Sequence, residues 1–196
     1  APLDVITTLT SGQAHRWEID NINGSCSTVS GVIGGEIVRI RNVDAGSVPK
    51  IEIYSSSDNN RNRICNLITN YFRLDDNIDD IWADIAKDQR VKDMIDYYSG
   101  LRLLRIDPWE CLVSFICSAN SNLRRIHQNM ESLSSTFGNL ITMGPEVRYT
   151  FPDPTRLAGA GELALRQLGL GFRAPYVAKT AEAIASGLFS LDELKN

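Results

Sequence analysis

Several residue types are scarce in this 196-residue chain, and each scarcity excludes something. Histidine occurs twice, as His15 and His127. Cysteine occurs four times, as Cys26, Cys65, Cys111 and Cys117, with no CxxC pair. Zinc sites draw on closely spaced Cys and His pairs, so no metal is expected. Nothing marks an oxidising compartment, and the four thiols are expected reduced and mostly buried. No apolar run reaches the roughly 18 residues of a membrane span, and no basic-then-apolar leader opens the sequence. An intracellular protein, of nucleus or cytoplasm, without a membrane partner, is the expectation. Repeats and low-complexity tracts are missing, and 43% hydrophobic with 22% charged residues excludes a disordered chain.

Lysine is scarce too. Of 20 basic residues only five are lysines (Lys50, Lys87, Lys92, Lys179 and Lys195) and fifteen are arginines. The formal charge of −4 argues against a partner held by bulk positive charge. The halves differ, however. Residues 1–98 hold 10 basic and 15 acidic groups, a net of −5; residues 99–196 hold 10 and 9, a net of +1. Arginine suits planar, bidentate contacts with phosphates and base edges, so a local patch on the second half remains compatible with nucleic acid.

The first 55 residues read as strands. Short β-branched runs cover 3–7, 27–33, 36–40 and 50–54, and Gly34-Gly35 is a two-residue hairpin signal. Helical spacing then takes over. Ile78, Ile81, Trp82 and Ile85 share one face, and Asp107-Pro108-Trp109-Glu110 combines an N-cap, Pro at the first helical position and Glu at N3. The run from Cys111 to Cys117 is apolar nearly all round and predicts a central, buried helix, ending at Ser118-Ala119-Asn120-Ser121-Asn122. A second helix follows with Leu123, Ile126, Met130, Leu133 and Phe137 on one face and Gly138 as its C-cap. Pro145, Pro152 and Pro154 read as a loop; Gly169-Leu170-Gly171 separates a short helix at 161–168 from one beginning near Ala174. The pattern is α+β: an N-terminal antiparallel sheet domain with helices over 1–98, then a helical part over 99–196.

Three segments could carry chemistry. Phe115 to Arg125 joins a knot of small amides to paired arginines at a helix start; amides and Arg read base edges, and helix N-termini present N–H groups to phosphate. The same residues also suit a capped interhelical turn with solvated arginines. In Gly169-Leu170-Gly171-Phe172-Arg173, Phe172 could wedge into a base stack, or be a core residue after a helix cap. In Ser11-Gly12-Gln13-Ala14-His15-Arg16-Trp17, Gly12 marks either a close backbone approach to a ligand or a plain turn.

In this order, and with Leu101-Arg102-Leu103-Leu104-Arg105-Ile106-Asp107-Pro108-Trp109-Glu110-Cys111 between them, these segments resemble the 8-oxoguanine DNA glycosylase/AP lyases of the helix-hairpin-helix superfamily. The resemblance extends through Leu168 to Tyr176 and spans nearly the whole chain. It implies an N-terminal α+β domain followed by the first part of the helical glycosylase domain. It implies base-excision repair of 8-oxoguanine opposite cytosine by base flipping. The partner it implies is double-stranded DNA containing oxidised guanine, bound by a monomer without cofactor. Gly12 matches the glycine whose carbonyl accepts a hydrogen bond from N7–H of the lesion, which guanine lacks. Asn120 matches the amide that fills the space of the flipped base. Arg125 and Arg173 match the arginines on the orphaned cytosine, and Phe172 the aromatic wedge. Ser121, Asn122 and His15 occupy supporting positions; Ser121 stands where the pattern has Asn, His15 where it has Phe, and Pro175 replaces a residue that is often basic.

The lysine of this family, a Schiff-base nucleophile, follows a Leu-Pro-Gly-Val-Gly-like hairpin, with an Asp downstream. None of the five lysines here follows such a hairpin. No catalytic residue is therefore expected within these 196 residues, and the helical domain is expected to be incomplete. The alternative is a non-catalytic damaged-DNA-binding module on the same fold.

Overall fold

Asp4 decides the first element. Its carboxylate accepts hydrogen bonds from the Thr7 N–H (2.9 Å) and the Thr7 hydroxyl (2.7 Å), and this N-cap starts helix α1, Val5–Thr10. The β-branched run 3–7 had suggested a strand; a satisfied cap outweighs that weak local preference. The structure, a computed structural model, describes residues 2–22, 26–43, 50–56 and 60–195. Part of the polar turn expected over 55–60 falls outside them.

Four strands follow, β1 (Trp17–Ile22), β2 (Cys26–Ile33), β3 (Glu36–Val43) and β4 (Lys50–Ser55), in the sheet order β1-β2-β3-β4. β1 pairs antiparallel with β2, setting Trp17 opposite Gly31, and β3 pairs antiparallel with β4, setting Ile40 opposite Ile53. The Gly34-Gly35 hairpin forms, with φ of 58° and 80°. β1 carries Glu18, Asp20 and Asn21, poor strand formers that hid it in the sequence; it is an edge strand held by β2. Gly31 leaves room for Trp17, since a Cβ there would lie 2.5 Å from the indole. Trp17 in turn donates its Nε1–H to the Tyr71 hydroxyl at 2.9 Å, tying β1 to helix α2, Arg61–Tyr71. Two amphipathic helices come next, α3 (Ile78–Ile85) and α4 (Gln89–Tyr97); the expected face of α3 forms, but neither helix buries a residue fully.

The chain divides into two compact units, residues 1–31 with 38–105, and residues 32–37 with 106–196. In the second, the Asp107 carboxylate accepts from the N–H groups of Trp109 and Glu110, both at 3.0 Å, and starts α5, Pro108–Ser118. Trp109, Val113 and Cys117 of α5 join a core with Ile126, Met130 and Leu133 of α6 (Leu123–Phe137). α5 is not buried all round as its composition suggested: Phe115 is 74% exposed and Cys111 is exposed. The segment after α6 is more ordered than its prolines implied. It forms a hairpin of β5 (Leu140–Met143) and β6 (Glu146–Tyr149), then α7 (Pro154–Leu165), capped by Asp153 with Pro154 in its first turn. Gly138 is demanded by proximity, because a Cβ would meet the Thr150 carbonyl oxygen at 2.0 Å. α8 spans Ala174–Ala185 and completes the core with Val177, Ala178 and Ala181.

The architecture is α+β. Among the described cysteines Cys65 and Cys111 are exposed and Cys117 is buried, all unpaired, so burial holds for one thiol rather than most. Among the described residues no helix is long and apolar enough to cross a membrane.

Candidate nucleic-acid interface

The second unit builds its candidate surface from three chain segments. α5 ends at Ser118, whose hydroxyl turns back to the Phe115 carbonyl (2.7 Å), and Asn120 then adopts a left-handed φ of 47°. That conformation is uncommon outside glycine, and Asn tolerates it better than most residues. Asn122 caps α6, its side-chain oxygen accepting from the Arg125 N–H at 2.9 Å. No acidic residue lies in the first turn of α6, and Arg124 and Arg125 are exposed without an ion pair among the described residues. A helix N-terminus with two free guanidinium groups is a local positive field suited to phosphate.

Beneath the loop lies Arg173, 1% exposed. Nε donates to the Ala119 carbonyl at 2.9 Å, Nη2 donates to the carbonyls of Ala119 and Asn120 (the latter at 2.8 Å), and Nη1 reaches the Leu170 carbonyl at 3.5 Å. The guanidinium thus satisfies carbonyls that α5 leaves open at its C-terminus, where positive charge is favoured. Its carbon also stands 4.5 Å from the centroid of the Phe172 ring. Phe172 itself is half exposed. The reversal that sends Phe172 outward and Arg173 inward needs Gly171, with φ of 59° and ψ of −129°, at the end of a π turn over Arg166–Leu170. Asn120, Phe172 and Arg173 are therefore brought together, with Arg125 on the helix that the same loop opens.

Three buried polar groups lie near this loop, and of them Asn129 alone carried no expectation from the sequence. Cys117 is pushed up to about 11 by burial, partly offset by the Arg173 charge and the Asn129 side chain, so it stays a thiol. Ser121 Oγ is buried without a hydrogen-bond partner among the described residues, and the Asn129 amide is buried beside the Cys117 thiol. The only sequence signal for Asn129 is polarity on an otherwise apolar face of α6.

In the first unit, Gly12 follows α1 with φ of 89°, a conformation that favours glycine. Its carbonyl accepts no hydrogen bond from the described residues. Gln13 beside it uses both ends of its amide. Nε2 donates to the Ser11 hydroxyl (2.9 Å) and the Arg102 carbonyl (3.0 Å), and Oε1 accepts from the Leu104 N–H (3.0 Å). Arg102 and Leu104 lie 89 and 91 residues downstream, which is why no role for Gln13 is legible in the linear sequence. His15 is half-buried in the same unit. Lys179 is exposed on α8.

Comparison with known proteins agrees with the resemblance. Residues 1–112 match the family described as 8-oxoguanine DNA glycosylase, N-terminal domain. An N-glycosylase/DNA lyase of Saccharomyces cerevisiae is 35% identical over 188 residues, covering 91% of this chain and 48% of the relative. N-glycosylase/DNA lyase OGG1 of Arabidopsis thaliana is 28% identical over 178 residues, covering 90% and 47%. The solved structure of Clostridium acetobutylicum 8-oxoguanine glycosylase/lyase with dsDNA containing cytosine opposite 8-oxoG matches with a TM-score of 0.87 at 26% identity, covering 98% of this chain and 63% of that one. The chain spans about half the length of the curated relatives it matches. With residues 1–112, more than half of its length, matching that domain, the chain belongs to the 8-oxoguanine DNA glycosylase family.

Proposed function

We propose that this chain recognises 8-oxoguanine opposite cytosine in duplex DNA, as a monomer, by holding the lesion outside the stack. The observation that carries the reading is the exposed Asn120–Phe172 pair, joined through the buried Arg173 and adjoining the free Arg125. Unstacking a base costs a few kcal/mol. An amide in the vacated space and an aromatic ring in the stack offset that cost. Arg125 reads the orphaned cytosine, whose O2 and N3 accept hydrogen bonds. The unsatisfied Gly12 carbonyl supports lesion reading: it accepts from N7–H of 8-oxoguanine and faces a lone pair in guanine. An unmet buried group costs about 1–3 kcal/mol, roughly a fivefold to hundredfold preference.

Excision belongs to this proposal for a polypeptide that also carries the hairpin lysine. There the amine attacks C1′, the base leaves with the glycosidic electron pair, and the resulting Schiff base allows elimination of the 3′ phosphate. A DNA substrate sets the place of action as the nucleus, the cytoplasm or the nucleoid.

Fluorescence anisotropy with duplexes containing 8-oxoG:C, 8-oxoG:A and G:C tests the reading. Tightest binding to 8-oxoG:C is expected, and Arg125→Ala should narrow the C-over-A ratio. Equal affinity for all three duplexes overturns the proposal; equal loss against C and A removes Arg125 from the role of reader.

A further inference from the structure

We infer that Gln13 is a positioning residue that aims the Gly12 carbonyl at the lesion, and so sets the discrimination between 8-oxoguanine and guanine. The inference rests on the reading of Gly12 given above. A glycine is the residue least able to fix its own peptide plane, because it lacks the Cβ that narrows φ and ψ. Gly12 has φ of 89°, and its carbonyl is held by no hydrogen bond from the described residues. The direction of that carbonyl must then be imposed from the next residue, since the Gly12 C=O and the Gln13 N–H share one peptide plane.

Gln13 is built to impose it. Its carboxamide bridges two separate points of the 102–104 segment, accepting from the Leu104 N–H and donating to the Arg102 carbonyl, and it returns to the Ser11 hydroxyl on the other side of Gly12. The amide therefore straddles Gly12. The receiving segment is itself stitched to α1, with the Arg102 N–H donating to Thr8 Oγ1 at 3.2 Å, Arg102 Nε to the Pro2 carbonyl at 3.1 Å and the Asp4 N–H to the Gly100 carbonyl at 2.8 Å. Only a glutamine satisfies all three contacts. Glutamate keeps the acceptor for Leu104 but sets a carboxylate against the Arg102 carbonyl, and alanine leaves all three groups unmet.

The test is the ratio of 8-oxoG:C to G:C affinity by anisotropy, measured on the whole chain beside its thermal midpoint. Gln13→Glu and Gln13→Ala are expected to lower the ratio about fivefold or more. Thr8→Ala serves as comparator, because it loosens the same stitching without touching the residues that flank Gly12. It is expected to lower the midpoint and leave the ratio unchanged. A Gln13 variant that melts early but keeps the wild-type ratio overturns the inference and makes Gln13 merely structural. A Thr8→Ala ratio that falls as far as that of Gln13→Ala overturns it too. If the wild-type chain itself shows no preference, the reading of Gly12 fails and the role for Gln13 falls with it.

Discussion

Replacing Arg173 by alanine is the sharpest perturbation the second unit offers, and its size can be worked out from the contacts. The guanidinium makes two well-formed interactions, with the carbonyls of Ala119 and Asn120, and a long one with Leu170. Hydrogen bonds to a charged group contribute about 1.5–3 kcal/mol each. Ala119 and Asn120 are exposed, so water recovers part of that on their carbonyls. The buried methylenes add about 0.8 kcal/mol each. Relief of the desolvation carried by a guanidinium at 1% exposure offsets several kcal/mol of the total. The balance is a loss of about 2–4 kcal/mol, which lowers the thermal midpoint by roughly 5–15 °C. Arg173→Lys should recover only part, because one ammonium cannot fork across two carbonyls as the planar group does. Urea unfolding followed by circular dichroism reads the difference. An Arg173→Ala variant within about 0.5 kcal/mol of wild type would show that the side chain is not seated beneath the loop.

Other expectations are independent of that one. Asp107→Ala should cost about 1 kcal/mol in the same urea assay, since it strips the cap from two N–H groups of α5. Alkylation of the folded protein followed by peptide mapping should label Cys65 and Cys111 and spare Cys117. The Cys117 thiol also fixes a sign. Its folded pKa, about 11, lies above the ordinary value of 9.0, so its contribution to stability is whole below pH 9 and is lost as pH rises toward 11. Each pH unit in that window should remove up to about 1.4 kcal/mol from wild type and less from Cys117→Ala, as read by urea unfolding at each pH. Borohydride added to this chain and a lesion duplex should trap no covalent adduct; a trapped complex would show that an amine of this chain is a nucleophile.

Caps and periodicity were legible because they are local. Asp107-Pro108, the Ile78 face of α3 and the Gly34-Gly35 hairpin all state their conformation within a few residues. Asp4 is equally local, yet it stands one residue into a β-branched run whose strand preference masks the cap. β1 failed for the opposite reason. Its residues have little strand preference, and it exists because β2 lies alongside from Cys26 to Gly31. The hairpin of β5 and β6 was concealed by Pro145, which sits in its turn and interrupts neither strand. At the candidate site, the resemblance supplied residue identities, but nothing in a linear sequence says that Arg173 points inward. That depends on Gly171 reversing the chain and on carbonyls more than fifty residues earlier.

The inward seat of Arg173 bears on how the proposed recognition could prefer cytosine. In its seat the guanidinium faces acceptors only, the carbonyls of Ala119 and Asn120. A cytosine left without its partner offers two adjacent acceptors, O2 and N3, so a guanidinium leaving the loop for that base exchanges like for like. Adenine sets a donor, N6–H, beside its N1 acceptor, and the same move would leave one N–H facing another. An unmet donor of that kind costs about 1–3 kcal/mol. The seat therefore makes the departure nearly neutral for cytosine and uphill for adenine, without any residue that contacts adenine unfavourably in the unbound protein. Arg125, exposed and unpaired, has no such seat to leave. On this reasoning the two arginines differ in kind. Arg125→Ala should weaken cytosine binding and leave the fold untouched. Arg173→Ala should both soften the loop and narrow the C-over-A step, and a variant that keeps the whole step after losing the guanidinium would refute the exchange.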